Sequence, residues 1–173
     1  SYSKLNLSKK LKSYKINGVG LNLSKPHLRK KLQNKKEVKK ILVIAAYKKE
    51  KGYIEILKLA EILKNKKIKI ECYGYGNYYK FNNLKIKKKL KNISFKKFDL
   101  NLSNKIKNYD LLLHLSKREG LPVAVMQSLS EGLPVICYDI RGNRDLITNN
   151  FNGYFVDSYK DVPGKIFYLN LNN

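Results

Sequence analysis

The chain has 173 residues, 43% of them hydrophobic, which excludes a disordered polymer and indicates one domain with its own core. Its apolar runs are much shorter than the roughly 18 residues that span a bilayer, so the sequence predicts no membrane-spanning helix. The net charge of +24 suggests nucleic acid, but the lysines are spread along nearly the whole chain without clustered aromatic partners, so we interpret them as a solvated coat and do not expect nucleic acid as a partner.

The remaining compositional features concern location and redox state. No charged-then-apolar signal segment opens the sequence, and we expect a cytoplasmic protein. Its positive surface would attract anionic small molecules and hold it against acidic lipid headgroups, peripheral at the inner face of the plasma membrane. Cys72 and Cys137 each end an apolar run, which predicts buried, reduced thiols. No CxxC or HxxxH spacing occurs, so we expect no metal site.

The first forty residues are polar, rich in lysine and weakly patterned. Residues 15–23 fit a strand end followed by a turn, and residues 28–34 fit a short basic helix. From residue 40 the pattern repeats, because short apolar runs alternate with segments that carry a helical stripe. The predicted strands are residues 40–46, 68–74, 92–95, 110–116, 133–139 and 153–156. The predicted helices are residues 52–65, 78–90, 102–108, 122–132, 142–148 and 158–169.

This alternation predicts an α/β fold, a Rossmann-like parallel sheet with helices on both faces. In such sheets ligands bind beyond the carboxyl ends of the strands, where the strand order reverses. The loops that would form a site are residues 47–52, 74–77, 96–101, 115–122 and 139–142. No GxGxxG follows the first strand, which argues against a dinucleotide dehydrogenase.

The segment 116–147 carries the most specific pattern in the chain. A buried strand ends at Ser116, and Arg118 and Glu119 follow at the predicted cleft. Gly120 allows close approach of backbone, and Pro122 lies in the first turn of a helix that ends before Gly132. The free amide groups of a helix N-terminus at this place would bind a diphosphate.

This segment closely resembles the retaining, family-four type of GT-B glycosyltransferases that build capsular and exopolysaccharides. The family carries Ser-x-x-Glu-Gly-x-Pro, a second glutamate eight residues after the first, then Gly-x-Pro-Val and a glycine turn. The matching residues are Ser116, Glu119, Gly120, Leu121, Pro122, Gly132, Pro134, Val135 and Gly142. Weaker matches are Asn17-Gly18-Val19, Lys51-Gly52 and Gly74-Tyr75-Gly76, so the resemblance covers about residues 15–168.

The resemblance implies a role for each matching residue. Lys51 would contact the donor diphosphate, since an ammonium offsets the charge that builds on the leaving group. Glu119 would bind the hydroxyls of the transferred sugar, and these two residues are the predicted catalytic pair. The predicted donor-binding residues are Gly120, Leu121, Pro122, Gln127, Gly74, Gly76, Arg118 and Ser116. The donor would be a nucleotide-diphosphate sugar, with no cofactor and no metal.

Three positions differ from the family pattern. Ala46 stands where the family often has an arginine that makes a second diphosphate contact, and Lys97 stands near a glycine that usually lies by the nucleobase. Gln127 replaces the second glutamate, which binds ribose hydroxyls, and an amide accepts hydrogen bonds without carrying a charge. From these differences we predict weak or absent donor turnover.

Plainer interpretations stand beside these roles. Lys51 is one lysine among many, and Glu119 could simply favour a helix dipole, although order and spacing favour the site for both. Gln127 and Arg118 fit the site and a solvated surface equally well. His114 lies within an apolar strand, which favours a hydrogen-bonded core histidine over a catalytic base.

Two functional hypotheses follow. In the first, residues 1–14 are a linker or remnant of a preceding domain, residues 15–173 are a nucleotide-sugar-binding domain truncated at its C-terminal end, and the chain is a fragment. A missing N-terminal GT-B domain, in cis or in trans, would hold the glycan or lipid-linked acceptor, and the chain alone would transfer no sugar. In the second, the same fold or its basic surface serves as a non-catalytic binding or partner subunit.

Overall fold

Within residues 37–171, which the computed structural model describes, six parallel strands form one sheet. The strands are β1 (Lys40–Ile44), β2 (Lys69–Gly74), β3 (Ile93–Lys97), β4 (Leu111–His114), β5 (Val135–Tyr138) and β6 (Gly153–Val156). Their order in the sheet is β3-β2-β1-β4-β5-β6, so the chain reverses direction across the sheet between β1 and β4. The predicted Rossmann-like α/β fold is confirmed.

The helices follow the predicted alternation with shorter bounds. They are α1 (Tyr53–Ile62), α2 (Tyr79–Lys87), α3 (Leu102–Lys105), α4 (Val123–Ser130), α5 (Arg141–Arg144) and α6 (Val162–Leu171). Single 3₁₀ turns lie at Lys49–Lys51, Ile106–Asn108 and Tyr159–Asp161. The predicted final helix from residue 158 begins only at Val162, because Ser158 and Asp161 form a capping box around a 3₁₀ turn.

The sheet separates two apolar clusters. Ile41 and Val43 of β1 point to the cluster that α1, α2 and α6 cover, whereas Leu42 points to the cluster that α3 and α4 cover. A strand covered on both faces needs apolar residues at every position, which is why the central runs are continuous. Cys72 and Cys137 are buried free thiols, one in each cluster, as predicted, and burial raises the pKa of Cys137 to about 12.

Several sequence-based expectations concern residues outside the described part. They are the 1–14 linker, the strand end at 15–23, the Asn17-Gly18-Val19 turn, and the basic helix at 28–34. Within residues 37–171 no helix is long and apolar enough to cross a membrane.

A polar cluster on β2 and its neighbours was not predicted from the sequence. The Glu71 Oε2 atom accepts hydrogen bonds from Lys96 Nζ at 2.7 Å, Tyr109 Oη at 2.8 Å and Tyr73 Oη at 3.2 Å. These partners lie 25, 38 and 2 residues away in sequence, so no local pattern joins them. The cluster ties β2 and β3 to the segment that leads into β4.

Gly74, at the carboxyl end of β2, lies directly against β1. A Cβ built on Gly74 would overlap the backbone carbonyl oxygen of Ala45, and the hydroxyl of Tyr53 would lie 3.4 Å from it. The Ala45 carbonyl directly follows β1 and accepts a hydrogen bond from the Tyr53 hydroxyl at 2.6 Å, so it cannot move aside as a flexible side chain can. The first glycine of the Gly74-Tyr75-Gly76 turn is therefore required by packing between adjacent strands.

We predict that Gly74→Ala lowers the free energy of unfolding by about 2–4 kcal/mol, because the new methyl group forces β1 and β2 apart. Gly164→Ala is the matched control, since no atom lies within 4 Å of a Cβ at that position in α6. We expect the control to stabilise the chain by up to about 1 kcal/mol. Urea unfolding followed by circular dichroism measures both, and equal midpoints for Gly74→Ala and the unmodified chain would contradict the packing argument.

Candidate functional site

The site lies where β1 and β4 are neighbours and the order of the sheet reverses. The two strands pair in parallel, with Ile41 opposite Leu111 and Leu42 opposite Leu112. Their following loops therefore leave the same edge of the sheet side by side, and the Lys117 amide donates to the Glu50 carbonyl at 2.9 Å. This is the crevice in which open α/β sheets bind ligands.

Lys51 and Glu119 meet at this crevice. The Lys51 Nζ atom lies 2.7 Å from the Glu119 Oε1 atom, and the two side chains are only 18% and 16% exposed. The residues are 68 positions apart in sequence, so the fold alone brings them together. The structure thus places the two predicted catalytic residues in one ion pair. Their chemical roles stay predictions.

Gly52 fixes where Lys51 can be. Its backbone is left-handed, with φ 75° and ψ 17°, and it ends the 3₁₀ turn Lys49–Lys51 just before α1 begins. A Cβ on Gly52 would overlap the carbonyl oxygen of Leu115 at the end of β4. The Lys51-Gly52 pair is a weak motif by itself, but in the structure it lies where two loops touch. This contact places Lys51 opposite Glu119.

Gly142 supports Glu119 from the other side. A Cβ on Gly142 would overlap the carbonyl oxygen of Gly120 and lie 2.9 Å from that of Glu119, so the start of α5 packs on this segment. The Asn143 side chain is fully buried, and its amide donates to the Tyr138 carbonyl at 2.8 Å, which anchors α5 to the end of β5. The downstream glycine of the motif therefore belongs to the same packed unit as Glu119.

The N-terminus of α4 departs slightly from prediction. Pro122 was placed in the first helical turn, but its backbone is extended, with φ −78° and ψ 105°, and the helix begins at Val123. The Pro122 carbonyl accepts from the Val125 and Met126 amides at 3.0 and 3.2 Å, so Pro122 is the N-cap residue. Nothing lies within 4 Å of a Cβ position at Gly120, so the backbone just before the helix is open to a ligand.

The remaining predicted donor-binding residues lie at or near the same edge. Ser116 is buried, Leu121 and Gln127 are partly buried, and Arg118 is exposed. Gly74 is the last residue of β2, and Gly76, which follows it, is left-handed with φ 96°. Within residues 37–171 no hydrogen bond or ion pair joins the Gln127 or Arg118 side chain to the Lys51–Glu119 pair.

The sequence predicted the burial of His114 correctly but not its hydrogen bonding. It is buried, as predicted for a core histidine, with 4% exposure. The prediction that it is hydrogen-bonded is not met at Nε2, which has no hydrogen-bond partner among residues 37–171. The physical reason is geometric, because the facing Glu119 Oε1 atom lies 3.5 Å away and is held by Lys51.

Burial keeps this imidazole neutral. Desolvation lowers the pKa of His114 from 6.5 to about 4, the Glu119 carboxylate opposes that shift, and the Lys51 ammonium adds to it. The site therefore consists of one compensated ion pair with a neutral ring behind it. An ammonium, a carboxylate and free helix amides beside one crevice can bind a ligand that has phosphate and hydroxyl groups.

Together, the strand order and this edge define an α/β domain of the kind that binds nucleotides at its switch point. Residues 24–164 match the family model described as "Glycosyl transferases group 1". Because the match covers most of the chain, the chain belongs to this family. The resemblance to GT-B glycosyltransferases stated from the motifs is confirmed.

Named relatives agree with this assignment over shorter stretches. The chain is 40% identical over 57 residues to the UDP-N-acetylglucosamine–peptide N-acetylglucosaminyltransferase GtfA subunit of Streptococcus agalactiae. This match covers 32% of the chain and 11% of the relative. The chain is also 36% identical over 56 residues to the UDP-Gal:alpha-D-GlcNAc-diphosphoundecaprenol alpha-1,3-galactosyltransferase of Escherichia coli. This second match covers 32% of the chain and 14% of the relative.

Solved structures give the same fold. A structure of S. aureus TarM in complex with fondaparinux, alpha-GlcNAc-glycerol and UDP superposes with a TM-score of 0.72 at 25% identity. The superposition covers 79% of this chain and 29% of TarM. The matched part of the chain therefore spans less than a third of the length of each of these three proteins.

We predict that the free energy of unfolding falls as the pH is lowered from 6.5 to 4. The unfolded chain binds a proton on His114 below about pH 6.5, whereas the folded chain does so only below about pH 4. The difference corresponds to about 3 kcal/mol at most. Urea unfolding across this range measures the slope, and His114→Gln should remove this contribution. A variant slope equal to that of the unmodified chain would contradict the burial of a neutral imidazole.

Proposed function

We propose that the chain is the donor-binding domain of a retaining glycosyltransferase and that it binds a nucleotide-diphosphate sugar along the carboxyl edge of its sheet. The observation that carries this proposal is the Lys51–Glu119 pair, which lies largely shielded from water at the switch point. A cation for phosphate and an anion for hydroxyls stand side by side there. A nucleotide sugar has both groups, joined at the bond that the reaction breaks.

Each charge of the pair has a distinct part in this proposal. The Lys51 ammonium leaves the Glu119 carboxylate and binds the donor diphosphate. It then offsets the negative charge that develops on the diphosphate as the bond to the sugar carbon breaks. The Glu119 carboxylate accepts hydrogen bonds from hydroxyls of the sugar. The pair as seen compensates two charges that would otherwise be costly at this burial.

The N-terminus of α4 and its approach segment complete the proposed site. The first amides of α4 have no partner within the helix, and we propose that they bind phosphate oxygens. Gly120, Leu121 and Pro122 supply backbone and shape, since Gly120 has open space where a side chain would stand. Gln127 lies about one turn further along α4 and is proposed to accept from ribose hydroxyls.

We propose UDP as the nucleotide of the donor. The names of the two relatives specify UDP-linked sugars, and the TarM structure contains UDP. The sugar and the acceptor differ among these proteins, which act on a peptide or a diphosphoundecaprenol-linked sugar or bind alpha-GlcNAc-glycerol. For this chain we propose a glycan or lipid-linked acceptor held by a second, N-terminal domain in cis or in trans. That domain would form the facing wall of the crevice.

We predict that the chain binds UDP more tightly than GDP in isothermal titration calorimetry. Lys51→Met should weaken UDP binding at least about tenfold, because a charge-assisted contact to phosphate is lost. Lys88→Met is the matched control, since Lys88 pairs with Glu61 at the same 2.7 Å distance but is 40% exposed. Its effect should stay within about twofold. No binding of either nucleotide, or an equal loss in both variants, would refute the proposed site.

We also predict that the chain alone transfers no sugar. One domain supplies only the donor wall, and Ala46, Lys97 and Gln127 weaken the contacts expected of the family. A radiolabel transfer assay with the UDP-sugar that binds best and a mixed glycan and lipid-linked acceptor fraction checks this. Turnover by the chain alone would overturn the need for a second domain.

The basic surface gives a second candidate, a non-catalytic module that binds polyanions or acidic membrane. The net charge of +24 is the observation that favours it. Salt separates the two, because polyanion binding falls steeply with added salt, whereas a pocket for one nucleotide responds less. UDP binding that survives 0.3 M salt, with heparin binding lost, would support the donor site.

A further inference from the structure

His114 lies directly behind the ion pair, on the strand that leads into Glu119. It ends β4, where it pairs with Cys137 of β5. Its neighbour two residues earlier, Leu112, belongs to the cluster that Val125 of α4 covers, so the imidazole points to the α4 face of the sheet. The ring is therefore buried next to the Glu119 carboxylate.

The Nε2 atom of this ring has an uncommon environment. Buried polar atoms in folded proteins nearly always have a hydrogen-bond partner, but this one has none among residues 37–171. Glu119 Oε1 faces it at 3.5 Å, beyond hydrogen-bond distance. The same oxygen accepts from Lys51 Nζ at 2.7 Å. An imidazole nitrogen and a carboxylate oxygen therefore face each other, and the Lys51 ammonium from the opposite loop holds that oxygen.

We propose that His114 is a positioning residue for Glu119, whose carboxylate accepts a hydrogen bond from His114 Nε2–H when the Lys51 ammonium engages the donor diphosphate. This inference rests on the function proposed above. A movement of about half an ångström brings the two atoms to the usual separation of about 3.0 Å. The Glu119 carboxylate thus keeps a hydrogen bond from a protein side chain, and its second oxygen is available to the hydroxyls of the sugar.

If the Lys51 ammonium binds phosphate, the Glu119 carboxylate needs another hydrogen-bond donor in its place. A carboxylate with 16% exposure that loses the Lys51 ammonium would rotate toward water or take up a proton. Either change would remove the acceptor that the sugar needs. A neutral imidazole suits the task, because it can donate a hydrogen bond without placing a second positive charge beside Lys51.

The first test needs no ligand. The chain has two histidines, His27 and His114, so imidazole ¹⁵N spectra of the whole chain contain two rings, and His27→Gln assigns them. Lys51→Met removes the competing ammonium. We expect the His114 ring in this variant to be protonated at Nε2, with a downfield, exchange-protected proton that disappears in Lys51→Met combined with Glu119→Ala.

The unmodified chain saturated with UDP provides a second route to the same spectrum if Lys51→Met does not fold. A ring protonated at Nδ1 alone would overturn the proposal, because its Nε2 could not donate. So would an Nε2 proton that is the same with and without Glu119.

The second test separates positioning from simple packing. UDP, UDP-N-acetylglucosamine, UDP-galactose and UDP-glucose are titrated into the unmodified chain, His114→Leu and His114→Gln. The gain in affinity of the best UDP-sugar over UDP is measured within each variant. We expect His114→Leu to reduce this gain at least about fivefold and His114→Gln, which keeps a donor, to restore most of it.

The outcomes distinguish this inference from the function on which it rests. A full gain in His114→Leu, with UDP bound normally by the unmodified chain, overturns the role of His114 alone. Equal loss in both variants indicates packing and also overturns it. An unmodified chain that binds no UDP, or binds every UDP-sugar no better than UDP, overturns the proposed function together with this inference.

Discussion

Two opposite charges held 2.7 Å apart, each about four-fifths hidden from water, constrain the rest of this edge of the molecule. An ion pair at such burial is stable only when both partners are held in place, because desolvation of either charge alone is costly. Lys51 follows β1 and Glu119 follows β4, so the pair forms only if these strands are neighbours. The position of the proposed donor site is thus a consequence of the strand order.

The precision of the pair comes from backbone contacts that glycines permit. Gly52 touches the end of β4, Gly142 touches the segment of Glu119 and Gly120, and Gly74 touches β1. Each contact joins two loops or strands at the carboxyl edge with no side chain between them. The edge is therefore a packed layer of backbone, and its charged side chains project from fixed points. Such a layer can bind a ligand without rearranging, which lowers the entropy lost on binding.

Much of this could be predicted from the sequence, because the information was local. Apolar runs and shorter strand-like patterns predicted all six strands, and Gly132 and Pro122 marked the bounds of α4 to within a residue. Contacts between distant segments could not be predicted in the same way. The Glu71 cluster joins residues up to 38 positions apart, and the facing of His114 Nε2 to Glu119 depends on which side of β4 the ring takes. A histidine in an apolar run predicts burial, but it carries no information about the atom it will face.

The high lysine content makes ion pairs a weak argument for a site unless burial is considered. With 37 basic and 13 acidic residues, an ion pair on the surface can form without any functional reason. In the other five pairs between basic side chains and carboxylates described in residues 37–171, the basic side chain is 40% to 63% exposed. Exposed pairs of this kind contribute little, since water screens them. Lys51, at 18% exposure, is the exception within this part of the chain. A fold that shields the lysine of this one ion pair, beside a buried neutral histidine, holds that charge for a partner other than water.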